Sequence, residues 1–586
     1  MIQSNYYLLR LLLTLLAVVN YHTYANDSSK ITELKTGVIL TDTLKSEDTH
    51  VYQLQLSKNQ FVFGDAVQIG VDLEVSIFSP EGENVATFDG PSSGSETFQF
   101  SSTKAGNYQI RITPFKKANG EYSIQIIRTE QAATTPIGIV EQLMSIYNNN
   151  TPGAVIGIVQ NGKLDYVKGF GMANIEYGIP NTKSTLYHMA SVSKQFTAFA
   201  IVMLANEGKL SLDKDIRNYL PELPVYEHKI TVRHLLNHTS GLRDHWTLWA
   251  MSGGMMDDVI RQSDLLRLIK RQQELNFIPG DEFLYSNTGY LLLSEIVSSV
   301  TGVKFGDWMK TNVFKPLGMN STQIYDDHER IVKNRAYSYK NTENGLAKSV
   351  LSYANSGATS LFTTAEDLAI WLGNFKTGKV GGLNSIKQLQ EQGILNSGEK
   401  IKYALGIGVD TDNGLRRLSH GGADAGYRTY LSYYPEIDTG IMILSNSANF
   451  QGRLISQDIS NAFFGEHMKQ APKEKDESEV EPSEQVVKEL NKWDPDKDEL
   501  SIYTGRYYSD ELETFYTIFL DDNKLMIKHI RHGKFNLTAK QKDEFGSSEW
   551  YLGNLKFVRS PKGIIKYLYI SNGRIRNLIF KKVNWK

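Results

Sequence analysis

No cysteine occurs among the 586 residues. Disulfides, thiolate catalysis, cysteine-ligated zinc and a lipid anchor on an N-terminal cysteine are thereby excluded. Charge of either sign is not in excess. Sixty-three Lys and Arg face 65 Asp and Glu, a formal net charge of -2, so there is no electrostatic ground to expect nucleic-acid binding. After the N-terminal segment no apolar run reaches the roughly 18 residues a membrane helix needs, and no integral span is expected beyond that segment. Hydrophobic residues at 41% and charged residues at 22% describe an ordinary globular composition. The length predicts several domains.

Aromatic residues are plentiful, with 31 Tyr, 25 Phe and 7 Trp to fill cores or line a pocket. At the N-terminus, Arg10 precedes the apolar run Leu11-Leu12-Leu13-Thr14-Leu15-Leu16-Ala17-Val18-Val19. Thr23-Tyr24-Ala25 then offers a cleavage site before Asn26. This pattern predicts a signal peptide over residues 1–25 and an exported protein, periplasmic or secreted. Export without a single cysteine is most at home in a bacterium.

Residues 31–128 alternate as strands in Val51-Tyr52-Gln53-Leu54-Gln55-Leu56, Tyr108-Gln109-Ile110-Arg111-Ile112 and Tyr122-Ser123-Ile124-Gln125-Ile126. Turn signals at Ser79-Pro80-Glu81-Gly82, Asp89-Gly90-Pro91 and Asn119-Gly120 separate them, which predicts a β-sandwich. With Asp72-Leu73-Glu74-Val75, Gly106-Asn107-Tyr108 and Gly120-Glu121-Tyr122, the segment resembles the bacterial pre-peptidase C-terminal domain, an accessory module of secreted hydrolases. Residues 129–136 read as a linker. Residues 137–467 mix strand-like and helical stretches and must hold the largest core. Residues 469–497 are charged and read as a tether, with a short helix near Val486-Val487-Lys488-Glu489-Leu490. Residues 499–586 return to β periodicity. Tyr503-Thr504-Gly505-Arg506-Tyr507, Asp543-Glu544-Phe545 and Gly573-Arg574 there resemble a small lipocalin-like β-barrel domain.

Chemistry is suggested first by Ser191-Val192-Ser193-Lys194, inside a stretch from Tyr187 to Ile201 that reads as a helix. Residues three apart share a helix face, so the Lys194 amine can reach the Ser191 hydroxyl. A helix N-terminus also favours developing negative charge there. The same spacing recurs at Ser101/Lys104, Ser211/Lys214 and Ser397/Lys400, so the motif needs company. Tyr285-Ser286-Asn287, preceded by Pro279-Gly280-Asp281, and His420-Gly421-Gly422-Ala423 supply it. Acyl transfer needs a nucleophile, a proton carrier, an orienting amide and an oxyanion hole, and these residue types provide each.

The ordered set resembles the serine β-lactamase and penicillin-binding-protein superfamily, nearest to class C β-lactamases and their esterase and D-aminopeptidase relatives. Leu235-Leu236-Asn237-His238-Thr239-Ser240-Gly241-Leu242, Gly208-Lys209-Leu210-Ser211-Leu212-Asp213 and Thr363-Thr364-Ala365-Glu366-Asp367-Leu368 follow family phrases in order. The resemblance implies an α/β (α+β) central domain with an antiparallel sheet flanked by helices. It implies Ser191 as nucleophile, Lys194 as its activator and Tyr285 as proton carrier kept acidic by Lys194. Asn287, His420, Gly421 and Gly422 would contact substrate, with Ser191 and Ala423 N–H groups as the oxyanion hole. No metal or cofactor is expected. β-Lactamases usually carry Lys-Thr-Gly where His420-Gly421-Gly422 stands here, which weakens the case for an efficient β-lactamase. No glutamate stands in the context of a class A water-activating residue, so Tyr285 is also the deacylation candidate.

The expected activity is hydrolysis of a small ester, a D-amino-acid amide or a peptide through an acyl-Ser191 intermediate. A β-lactamase or D-Ala-D-Ala carboxypeptidase is the runner-up. A non-catalytic binder or sensor of cell-wall fragments is the reading from another class, and the β-domains could bind polysaccharide or protein. Tyr339-Lys340-Asn341 repeats the Tyr-x-Asn pattern, but context favours Tyr285. His238, Tyr187 and Tyr290 read as structural, and His529/His532 as no zinc site. Gly90-Pro91-Ser92-Ser93-Gly94 matches a hydrolase elbow, but a strand and not a helix is expected after it.

Overall fold

The computed structural model describes residues 31–89, 94–115, 119–342, 345–468 and 493–583. The predicted signal peptide, most of the charged tether with its short helix, and Gly90–Ser93 lie outside the described residues. Two compact units make up the chain. One runs to Met144 and includes residues 341–347; the other holds Ser145–Lys340 and Lys348 onward.

In the first unit, alternation builds two facing sheets. Thr32–Glu33, His50–Leu56, Gly106–Pro114, Leu73–Phe78 and Asn84–Phe88 form one, in that spatial order. Ile39–Leu44, Gly120–Gln131, Gln60–Ile69 and Gly94–Ser101 form the other. Inward residues such as Leu54, Val75, Phe98, Ile110 and Ile124 make one core. Strand Gly94–Ser101 follows the Gly-rich match directly, without the helix an elbow requires.

The second unit is built on a six-stranded antiparallel sheet. Its order is Lys163–Phe170, Ala154–Gln160, Thr439–Ser445, Tyr427–Tyr434, Leu415–Asp424, Gly408–Asp412. Ala154–Gln160 and Thr439–Ser445 are buried along nearly their whole length because helices cover both faces. Glycine marks the close approaches. A Cβ on Gly440 would fall 2.4 Å from Leu372 of helix Ala365–Thr377. On the opposite face, Gly452 of helix Gly452–Phe464 sits against Tyr430 and Ile443.

Helix Ser193–Asn206 is buried on nearly every side, and it runs through the core beside helix Asn287–Thr301. Such a helix shows little amphipathic pattern, since no face meets water. The C-terminal part is a nine-stranded, nearly closed barrel-like sheet around Tyr503, Ile518, Phe545, Phe557, Leu568 and Phe580. Its core is continuous with Leu248, Ala250, Met251 and Leu268 of the central domain.

Candidate active site

The sequence predicts one helix across Tyr187–Ile201, and the structure breaks it. Tyr187–His188 is a short strand, Ala190–Val192 a single 3₁₀ turn, and the helix proper starts at Ser193. The break comes from Ala190, whose φ of 47° lies in the left-handed region. For a non-glycine residue that costs about 1–2 kcal/mol. Three hydrogen bonds hold it: Ala190 N to His188 Nδ1 at 3.2 Å, Ser193 Oγ to Ala190 O at 2.6 Å and Thr429 Oγ1 to Met189 O at 2.9 Å. Apolar periodicity cannot reveal such a reversal.

The turn presents Ser191 to a cleft of about 560 Å³, lined also by Tyr285, Asn287, Ala358, His420, Gly421, Gly422, Ala423, Asp424, Arg428 and Arg574. All eight residues singled out in the sequence therefore converge, since Lys194 meets Ser191 from beneath. Lys194 is wholly buried, and its Nζ donates to Ser191 Oγ at 3.0 Å, Asn287 Oδ1 at 2.9 Å and Ala358 O at 2.9 Å. Burial pushes its pKa down to about 7, helped by Arg574 and opposed by Asp424 and Asp244. An ammonium fills all three contacts with N–H bonds. A neutral amine keeps two and turns its lone pair to Ser191.

Asn287 opens its helix, and a buried carboxylate fixes it. Asp244 Oδ2 accepts from Asn287 N at 2.7 Å and from Asn287 Nδ2 at 2.8 Å. The other oxygen, Oδ1, caps helix His245–Met251 by accepting from Trp246 N and Thr247 N. This leaves Asn287 Oδ1 for Lys194 and fixes its amide orientation.

Tyr285 differs from expectation. Burial raises its pKa above the usual phenol value, while Ser191 and Arg574 pull it down less. Its ring keeps part of its surface open to the cleft. Lys194 lies 4.8 Å from the ring centre, over the face. The rival Tyr339 binds Ile175 N and Glu176 through its hydroxyl. Tyr187 and Tyr290 hydrogen-bond to Asn181 and to Leu236 O.

A directed relay sets the state of His420. Ser286 N donates to His238 Nδ1 at 3.1 Å, which leaves His238 Nε2–H to donate to Tyr403 Oη at 3.3 Å. Tyr403 then donates to His420 Nε2 at 3.1 Å, and His420 Nδ1–H donates to Gly421 O at 2.6 Å. Every proton has one place, assigned from the partners, and both imidazoles are neutral. Burial and the nearby Lys194 push His420 down to about 3, in agreement. His529 and His532, outside the cleft, bond to Thr514 Oγ1 and to Ala250 O.

His420-Gly421-Gly422-Ala423 lies within strand Leu415–Asp424 and pairs with Tyr427–Tyr434. A Cβ on Gly422 would come within 2.4 Å of Met189 O and of Thr429 Oγ1, so only glycine lets this strand approach the serine turn. Sequence reasoning missed Asp244, Tyr403, Asp424 and Arg574. Asp244 follows the Leu235–Leu242 phrase by two residues. Arg574 was visible only as part of a turn in another domain. Asp424, beside Thr359, has its pKa raised to about 6 by burial.

A family model described as Beta-lactamase matches residues 135–462. The chain is 29% identical over 309 residues to penicillin-binding protein 4* of Bacillus subtilis, covering 49% of this chain and 66% of that one. It is 26% identical over 296 residues to a D-aminopeptidase of Gluconobacter oxydans, covering 50% and 56%. The matched stretches thus span less than two thirds of these relatives' lengths. An octameric penicillin-binding-protein homologue from Pyrococcus abyssi superposes with a TM-score of 0.50 at 22% identity, over 76% of this chain and all of that one, which shows the fold. With more than half of its length matched by the family model, the chain belongs to the β-lactamase family, within the superfamily of serine β-lactamases, penicillin-binding proteins and D-aminopeptidases.

Proposed function

We propose that the chain is a serine hydrolase that forms an acyl-enzyme at Ser191 on a small ester, a D-amino-acid amide or a peptide. The observation that carries this reading is the Lys194 amine, buried and held at 3.0 Å from Ser191 Oγ by Asn287 and Ala358. Neutral Lys194 takes the serine proton as Oγ bonds to the substrate carbonyl carbon. The carbonyl π pair moves onto oxygen, where the Ser191 and Ala423 N–H groups receive it. Tyr285, kept a phenol by burial, donates its proton to the leaving oxygen or nitrogen and recovers one relayed from the Lys194 ammonium. Water then attacks the acyl carbonyl, gives its proton to the same pair, and Ser191 Oγ departs with a proton. Asn287, Gly421 and Gly422 line the substrate's path, and neutral His420 shapes it without charge.

The leader-like residues 1–25, and with them export, belong to the same proposal, as do the domain limits given above. Turnover of 4-nitrophenyl acetate and of D-alanine 4-nitroanilide is the test. Hydrolysis of either, abolished in Ser191→Ala, supports the reading. Hydrolysis that survives Ser191→Ala contradicts it. Turnover of nitrocefin at a comparable kcat/KM would favour the β-lactamase alternative.

A further inference from the structure

The cleft borrows a residue from the C-terminal barrel. Strands Ile565–Ser571 and Leu578–Val583 are joined by a turn that carries Arg574. Within the turn, Asn572 Oδ1 accepts from Arg574 N at 2.8 Å and Ile575 N at 2.9 Å. The central domain grips the turn on both sides of residue 574. Asn276 Nδ2 donates to Arg574 O at 3.0 Å, and Asn276 Oδ1 accepts from Arg576 N at 2.8 Å. Arg576 pairs with both carboxylate oxygens of Glu282, at 2.9 and 2.8 Å. Buried Arg243 donates to Arg576 O and to Glu511 Oε2, which ties the barrel down at a second point.

The turn is therefore rigidly placed, and its Arg574 guanidinium stands over the Tyr285 ring, 5.1 Å from the ring centre, at the wall of the Ser191 cleft. Its nearest carboxylate oxygen is Asp244 Oδ2, at 3.8 Å, which already accepts two N–H bonds from Asn287. Among the described residues the guanidinium makes no hydrogen bond, and 45% of its side chain is exposed. Arg453 also lines the cleft, and two of the other charged residues are engaged within its wall. Arg428 donates to Ala425 O and Tyr427 O, and Asp424 is held by Thr359. His420 is locked neutral by Tyr403, so the strand that bears it offers no cation from that position.

A guanidinium with free donors, fixed beside a nucleophile, recognises a planar carboxylate through two parallel bonds. We propose that Arg574, delivered by the C-terminal barrel, is the specificity residue of this cleft and binds a carboxylate on the substrate. The favoured substrates are then esters or amides that carry a carboxylate near the scissile bond, on either the acyl or the leaving side. This rests on the acyl-Ser191 reading.

The test compares four esters on the full chain. Mono-4-nitrophenyl glutarate and 4-nitrophenyl pentanoate differ by a carboxylate on the acyl side; 3-acetoxybenzoate and phenyl acetate differ by one on the leaving side. In Arg574→Gln, compared on the pH plateau above the Lys194 inflection, kcat/KM for at least one carboxylate ester should fall about 10- to 100-fold, the worth of a charge-assisted pair, with its neutral partner changed less than about threefold. Arg574→Lys should recover part of that preference, which a role in fold alone would not. An equal fall for charged and neutral esters, or no preference in the native chain, overturns the proposal while leaving the acyl-enzyme intact. Absence of Ser191-dependent turnover on all four esters and on D-alanine 4-nitroanilide removes the acyl-enzyme reading itself, and the role of Arg574 with it.

Discussion

Asp244 Oδ2 accepts two hydrogen bonds from Asn287, one from its backbone and one from its side chain, and so decides which way the Asn287 amide faces. Lys194 depends on that orientation, because its amine binds the Asn287 oxygen on the same side as Ser191. Asp244→Ala removes a buried carboxylate and leaves four donors unmet, two on Asn287 and the N–H groups of Trp246 and Thr247. The expected cost is about 3 kcal/mol of stability, from hydrogen bonds to a charged group. Turnover should fall further than Asp244→Asn, which retains one acceptor. Thermal unfolding and kcat on one ester check both.

Protonation of Lys194 sets a pH dependence with a definite sign. Its pKa is pushed down to about 7, and the neutral amine is the form that accepts the serine proton. Acylation should rise with pH through that region and level off above it. Asp424 and Asp244 favour the ammonium, while Arg574 disfavours it. Asp424→Asn should therefore move the inflection down and Arg574→Gln should move it up. Fluorophosphonate labelling rates between pH 5 and 9 read the shift directly.

Gly422→Ala places a methyl 2.4 Å from Met189 O and Thr429 Oγ1, so the strand or the serine turn must move. Displacing an oxyanion donor typically costs on the order of 10²–10³ in turnover. Gly421→Ala is the control, since its nearest contact would be an ordinary 3.7 Å to the Tyr430 ring. The expected result is a large loss in kcat for the first and a small one for the second.

Much of this site was legible. A three-residue spacing is local, and it placed Lys194 against Ser191 even though the helix was expected two turns too long at its start. The Tyr285, Asn287 and His420 elements were legible as an ordered set of phrases. What escaped was long-range. Asp244 touches Asn287 across 43 residues and Arg243 reaches Glu511 across 268, and no spacing rule links such pairs. The strands of both β-regions could be read from alternation, whereas the union of the barrel core with Leu248 and Met251 could not. Burial, which no motif reveals, works against the acidity expected of Tyr285.

Arg243 is fully buried and bonds to Glu511, itself nearly buried, at 2.8 Å. Arg243→Met leaves that carboxylate uncompensated and should cost about 3–5 kcal/mol. Glu511→Gln, which keeps an acceptor, should cost less. Because Arg243 also holds Arg576 O, the variant should lose carboxylate preference along with stability. Denaturant unfolding, paired with the glutarate and pentanoate esters, measures the two effects together.

Intact-protein mass after exposure to a fluorophosphonate, with Ser191→Ala and Lys194→Ala alongside, addresses the activated serine most directly. One phosphonyl adduct on the native chain, absent from Ser191→Ala and formed at least about 100-fold more slowly by Lys194→Ala, is the predicted result. An adduct that persists in Ser191→Ala, or no adduct on a folded native chain, would contradict Ser191 as the nucleophile.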